Sequence, residues 1–427
     1  MNKHVSLIAL MGILMATSCS TTKNSQKESQ ASMDNTIVKM GNMEETDANF
    51  LILSDAQRAY VEKNNQMAFN FFSQVSGFDS KVISPVSLSY LMGMLANGAN
   101  GNTQAQILKT LGCDGNITLE ELNAFNQWML SHAGKQDASV EVNIANYIAL
   151  NKNHQLKADY GKKMADFYKA GIESLDFSSQ KTTKHINDWC SKHTDGMIPS
   201  IIDQVEPNAV SYIMNAVFFN GTWQDKFEKN ETKLEPFRGY TRDIKRVNMM
   251  HRNGKYMYMS NDDYSAVRLP YGKGRYVMTV LLPNEGKSID EMMSKVNAES
   301  FAAISRNMDE CVVDLKLPRF TSEVDLSLND IVSKLGAPSM FLPGEADFSN
   351  FSDANVYVSK MIQKAKIEVS EEGTKAAAVT AAMVMMTSLN PSEPRHVEFH
   401  ANRPFVYMIT EAQSGCIFFM GQYTGQE

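Results

Sequence analysis

Eleven consecutive residues near the C-terminus, Ala376 to Met386, carry no charge, no glycine and no proline. They follow a stretch that alternates polar and apolar residues (Lys366, Ile367, Glu368, Val369), the period of a strand. Between the two lies Gly373, free to turn at any φ. The run closes at Ser388-Leu389-Asn390-Pro391, a turn signature. Short uncharged segments beside a strand invite edge-to-edge pairing, and chains normally blunt them with charge or proline. A chain that keeps one has a use for it.

Alternation from Thr374 onward divides the segment into two faces. One carries Thr374, Ala376, Ala378, Thr380, Ala382 and Val384, all small and uncharged; the other carries Lys375, Ala377, Val379, Ala381, Met383 and Met385. The first face can enter a packed interior without burying a charge, and the second brings only one lysine, at its start. The segment reads as a strand able to join a sheet. An amphipathic or buried helix is the other reading, because alanine and methionine are good helix formers.

The 427-residue chain is 43% hydrophobic, enough for one large core or two lobes. Its net charge of −7 and the lack of a basic block argue against nucleic acid or anionic lipid as electrostatic partners. A basic start (Lys3, His4), an apolar run from Val5 to Ala16 and small residues behind it form a secretory signal too short to span a bilayer. Ala16-Thr17-Ser18-Cys19 resembles a bacterial lipobox, with Cys19 as the lipidated residue and Ala16 where leucine is commoner. Residues 20–50 are polar and aperiodic, a flexible tether. Cys113, Cys190, Cys311 and Cys416 are widely spaced without a CxxC pair; buried thiols are the expectation, with a disulfide among them the alternative.

Helical spacing predicts a helix over residues 54–75. Further helices are expected from Ser84-Pro85 and from Thr103, and another over 118–132 opened by the TLEEL capping box. A strand is expected from Val140, a strand at 171–177 between helices at 156–169 and 180–194, and a doubly buried strand at 210–219. Gly98 and Gly101 end a helix and turn; they are not a phosphate loop, since no Lys-Ser/Thr follows. Residues 240–283 read as strands, 288–308 as two helices and VVDLKLPRF as a strand. DLSLNDIVSKLG reads as a helix stopped by Gly336, and VYVSKMIQKAKIEV as the strand leading to Gly373. The order of elements predicts an α+β domain without internal repeat.

No catalytic or cofactor constellation appears. The eight histidines form no HExxH, and GxSxG and GxGxxG are missing. The carboxylate pairs Glu44-Glu45, Glu120-Glu121 and Glu371-Glu372 are expected on solvated surface. The chain is not expected to be an enzyme, nor to hold a metal or cofactor.

EEGTKAAAVTAA resembles the hinge of an inhibitory serpin's reactive-centre loop, and HVEFHANRPFVYMI with GCIFFMGQY resembles the strands that close the serpin chain. NAVFFNGTWQDKF, the Ser84-Pro85 helix start and INDWCSKHTDGMI are similar to further serpin segments, so the resemblance spans about residues 54 to 424. It implies the serpin fold: a large central mixed β-sheet, further sheets, about eight or nine helices and an exposed loop at about 371–395. The domains are then a lipoprotein-type signal (1–18), a tether (19–50) and a serpin domain (51–427). The implied activity is inhibition of a protease that cleaves the loop, stays acylated and is carried off as the loop inserts.

Carried over by position, Glu371, Glu372, Gly373, Thr374, Ala376, Ala377 and Ala378 form the hinge. Seventeen residues from Glu371, the loop length common in the family, place the cut bond at Thr387–Ser388, with Met385 and Met386 as alternatives. Ser84, Asn215 and Gln363 match the cluster beneath the opening sheet, where Gln363 replaces a histidine found in many serpins, and Trp223 marks the sheet's upper end. The expected partner is an elastase-like serine protease, then a chymotrypsin- or subtilisin-like one, with cysteine proteases as an alternative. A monomer held at the cell envelope through Cys19, or released outside the cell, is expected. The rival reading is a non-inhibitory serpin acting as a carrier; such members tend to lose the charge-free hinge, and a denaturant-stable complex with a protease separates the two.

Overall fold

The structure, a computed structural model, describes residues 53–425 except 114, 116, 134–136 and 375–394. The expectations on Cys19, Ala376, Ala377, Ala378, Met385, Met386, Thr387 and Ser388 therefore lie outside the described residues.

The first helix, α1 (Asp55–Val75), is opened by Ser54 and Gln57 in a reciprocal capping box. After β1 (Lys81–Ile83), Pro85 takes the first position of α2 (Pro85–Gly98), where a missing N–H costs nothing. Every residue of α2 is buried. Next come α3 (Gly101–Thr110) and α4 (Leu119–His132), the latter with the Thr118–Glu121 capping box that its sequence predicts. The start of α3 lies at Gly101, two residues before the expected Thr103, whose hydroxyl instead accepts from the Asp347 amide inside the fold.

The chain continues through β2 (Val140–Asn151), α5 (Ala158–Tyr168), β3 (Gly171–Leu175), α6 (Gln180–His193) and β4 (Ser211–Thr222). A run of strands follows: β5 (Lys233–Arg238), β6 (Ile244–Ser260), β7 (Tyr264–Tyr271) and β8 (Tyr276–Pro283). Two short helices, α7 (Ile289–Met293) and α8 (Ala298–Arg306), lead to β9 (Asp309–Pro318) and β10 (Phe320–Ser327). The last third holds α9 (Asn329–Leu335), β11 (Ile362–Ser370), β12 (Gly373–Thr374), β13 (His396–His400), β14 (Phe405–Glu411) and β15 (Ile417–Tyr423).

Three expectations change here. Asp325, Leu326 and Ser327 of the DLSL run belong to β10, because they pair with Lys364, Gln363 and Ile362 of β11, and Leu328 alone stays with α9, at its N-cap; sheet pairing overrides the helical reading. The strand expected from Val356 begins only at Ile362. The 210–219 strand is buried on both faces only from Met214 upward, and its first residues, Ser211 to Ile213, are half-buried.

Among the described residues, nine strands form one sheet, running β1-β15-β14-β8-β7-β6-β9-β13 with β5 paired to β6. Six form the other, in the order β10-β11-β12-β4-β2-β3, antiparallel throughout except for the β2–β3 pair. The main core lies between the sheets and the α1–α4 helices. A separate small core, with Ile186 and Cys190 of α6 on Tyr147, Ala149, Met214 and Ala216, fastens α6 to the outer face of the six-stranded sheet. No helix among the described residues is long and apolar enough to cross a membrane.

Candidate functional site: a two-residue strand at the top of an open slot

In β11 the period-2 pattern sends Gln363, Ala365, Ile367 and Val369 inward. The chain reverses at Glu371-Glu372, and Gly373 and Thr374 return as β12, antiparallel to β11 and to β4. Gly373 has φ of +149°, and a Cβ there would stand 2.0 Å from the carbonyl oxygen of Gly221 on β4. Only glycine satisfies both constraints.

Thr374 is buried, and its hydroxyl is 2.6 Å from that of Tyr271 at the end of β7. Burial pushes the Tyr271 phenol well above its ordinary value, which the Thr374 contact only partly offsets, so it stays neutral and can donate. Trp223 stacks on Tyr271 with ring centroids 4.3 Å apart, and its indole N–H donates to the Ser370 carbonyl at 2.9 Å. Its amide donates to the Glu372 carbonyl, and the Phe227 amide to that of Glu371. Trp223, next to the end of β4, thus caps the turn between β11 and β12.

Glu371 is buried and Glu372 half-buried, so neither is the solvated surface residue expected. Only 3% of the Glu371 side chain is exposed, and its carboxylate accepts from Arg319 and from Thr232 Oγ1. Burial pushes that carboxyl upward, but the Arg319 and Thr232 hydrogen bonds outweigh it and hold it below the usual carboxylate range. Glu372 receives Lys226 at 2.8 Å and Lys229 at 3.1 Å, which hold its carboxyl down as well. Three cations from other parts of the chain therefore converge on the turn. Two adjacent carboxylates look like surface in a sequence, and nothing local reveals the cations that cover them.

Below β12 the slot is open. β11 and β4 run parallel on either side of it, and among the described residues no ladder joins them beneath Thr374. Toward its lower end lies a cavity of about 450 Å³, lined by residues 208–215 at the start of β4 and 355–362 leading into β11, with Leu91 and Leu95 of α2 behind.

The three residues expected as one cluster divide across this slot. Gln363 donates from Nε2 to the Ser84 carbonyl at 2.8 Å and accepts the Ser84 amide at 3.1 Å, while the Ser84 hydroxyl donates to the Phe418 carbonyl. That pair ties β11 to α2 and β15. Asn215, on β4, donates from Nδ2 to Asn146 Oδ1 and the Ala145 carbonyl, and its own Oδ1 is buried with no hydrogen-bond partner among the described residues. Glutamine does here what a donor and acceptor must do, without a titrating ring.

Tyr271, Arg319, Thr232 and Lys229 escaped the sequence reading; Lys226 lies within NAVFFNGTWQDKF, but nothing there marks it out. Cys113, Cys190, Cys311 and Cys416 are all buried as thiols, none in a disulfide. Burial pushes the Cys190 and Cys416 thiols up to about 12, far from reactivity at neutral pH. No metal-ligand cluster occurs among the described residues.

A sheet slot with a glycine-hinged strand begun at its top defines a class of protein. The family model described as "Serpin (serine protease inhibitor)" matches residues 62–425. The human leukocyte elastase inhibitor is 33% identical over 356 residues, covering 80% of this chain and 92% of its own, and the horse protein of that name is 31% identical over 377 residues, covering 84% and 98%. Among solved structures, the thermophilic serpin tengpin in its native state superposes with a TM-score of 0.77 at 28% identity, covering 92% of this chain and 98% of its own. The chain belongs to the serpin family, a family of protease inhibitors and not of enzymes.

Proposed function

We propose that this serpin inhibits serine proteases as a suicide substrate: the protease cuts Thr387–Ser388, and the loop behind it enters the slot while the enzyme is still acylated to Thr387. The observation that carries this is β12, two residues already laddered between parallel strands that have no ladder to each other below it. A strand continuing downward from Thr374 would fill that position.

The register supports the reading. Six residues beyond Thr374, Thr380 would come opposite Asn215, six back along β4 from Gly221, and opposite Gln363, six back along β11 from Val369. Its hydroxyl would meet the unpartnered Asn215 Oδ1. Residues 380–388 would then run beside those that line the cavity. About a dozen ladder hydrogen bonds at ~1 kcal/mol net each amount to roughly 10 kcal/mol, comparable to the whole stability of an ordinary domain. Fourteen residues at about 3.3 Å each would carry an attached enzyme roughly 45 Å.

Thr387 is small and β-branched, and no Lys or Arg lies between Lys375 and Arg395, which favours elastase-like enzymes, then chymotrypsin- or subtilisin-like ones, over trypsin-like ones. The lipobox-like Ala16-Thr17-Ser18-Cys19 supports a protein exported and tethered to the cell envelope through Cys19. Mixing the protein with an elastase-like protease should give a complex that survives denaturant. Complete cleavage of the loop with no such complex would overturn the reading.

A further inference from the structure

The hinge is seated by a particular hydroxyl pair. The Tyr271 ring is fully buried, stacked under Trp223 and edge-on to Phe219 at 5.0 Å. Among the described residues, the one hydrogen-bond partner of its hydroxyl is Thr374 Oγ1, at 2.6 Å. Gly221 passes so close to the ring that a Cβ there would stand 2.8 Å from Tyr271 Cδ1, so β4 and the tyrosine are packed as one surface. A buried hydroxyl stripped of its partner is costly, whereas the same site without either polar atom is nearly neutral. Small size and lack of charge would let many residues into the top of the slot; the tyrosine rewards one that carries a hydroxyl.

We propose that Tyr271 is a positioning residue for the hinge, reading the first side chain to enter the sheet and holding Thr374, and with it Gly373 and the Glu371-Glu372 turn, in the seated state. This rests on the slot being the insertion site, but its test needs no protease. The Trp223 and Phe227 amides bond to the Glu372 and Glu371 carbonyls while the turn is seated, so their hydrogen exchange reports its opening.

In the full-length protein, Thr374→Val keeps shape and removes the hydroxyl; it should speed exchange of those two amides roughly tenfold, the worth of one buried hydrogen bond. Thr374→Ser should leave it near the parental rate. Tyr271→Phe should match Thr374→Val, and the double variant should exchange no faster than either single one, because both remove the same bond. As a control for general loosening, Tyr90→Phe removes a buried hydroxyl that bonds elsewhere, to the Asn126 carbonyl, and should change nothing at residues 223 and 227. Equal exchange in the serine and valine variants, additive effects in the double variant, or the same acceleration in Tyr90→Phe would each overturn the proposal. Inhibition is read separately: a protein that traps no protease yet shows this exchange pattern refutes the proposed function and leaves the role of Tyr271 standing.

Discussion

Arg319 donates two hydrogen bonds to Glu371, from Nε at 3.1 Å and from Nη2 at 2.5 Å, although the arginine side chain is 46% exposed and the glutamate 3%. The pair joins the residue after β9 to the turn after β11, 52 positions apart, and fixes where the hinge begins. Glu371→Lys would set a buried cation against Arg319. Removing one partner of a buried pair costs about 3 kcal/mol, toward the lower end of the usual range given the exposure of the arginine. A lower melting temperature and faster exchange at Trp223 are expected, and an unchanged melt would show that the pair contributes nothing to holding the turn.

The same carboxylates make the seat acid-sensitive. Both Glu371 and Glu372 are held below the ordinary glutamate value of 4.5. A depressed folded-state pKa gives stabilisation that is present in full above the unfolded value and lost as the pH falls through the folded one. The seat should therefore be constant from neutral pH down to about 5 and let go below the ordinary carboxylate range. Trp223 fluorescence and exchange at residues 223–227 follow it. Glu371→Gln should flatten much of that acid transition, and a parental profile flat to pH 3 would contradict the assignment.

Gly373 allows no replacement. Alanine there meets the Gly221 carbonyl at 2.0 Å and must adopt φ near +149°, a strained region costing of order 1–3 kcal/mol before any clash. Gly373→Ala should leave the loop cleavable but consume several times more inhibitor per trapped protease. Titration of residual protease activity against inhibitor gives that ratio, and a parental ratio would mean that β12 need not form.

Cutting the loop should stabilise the protein. Once nicked within residues 383–388, the chain should melt far above the intact form, since roughly 10 kcal/mol of ladder is added. Equal melting temperatures would place the loop outside the sheet. In the trapped complex, cleavage after Thr387 releases a C-terminal piece of 40 residues that begins at Ser388, the difference between 427 and 387. A piece starting elsewhere moves the reactive bond.

Tethering is tested apart from inhibition. Cys19→Ala should abolish lipid labelling in a bacterial host while leaving protease trapping unchanged; labelling that persists would rule Cys19 out as the acylated residue.

Much of this protein is written locally. The alternation from Gln363 to Val369, the glycine after it, the capping boxes at Ser54 and Thr118 and the helix end at Gly98 all follow from the period of side chains and the chemistry of turns, which neighbouring residues set by themselves. What tertiary structure decided is where distant groups meet. Asp325, Leu326 and Ser327 became strand because β11 offered them partners, and a ladder outweighs a weak helical preference. Glu371 went inside and Glu372 became half-buried because Arg319, Lys226 and Lys229 arrived from elsewhere, and a carboxylate leaves water only when a cation and hydrogen bonds replace it. Tyr271, unremarkable in its own segment, became the partner of Thr374 because β7 and β12 meet across β4, 103 residues apart, and no local pattern encodes a contact at that range.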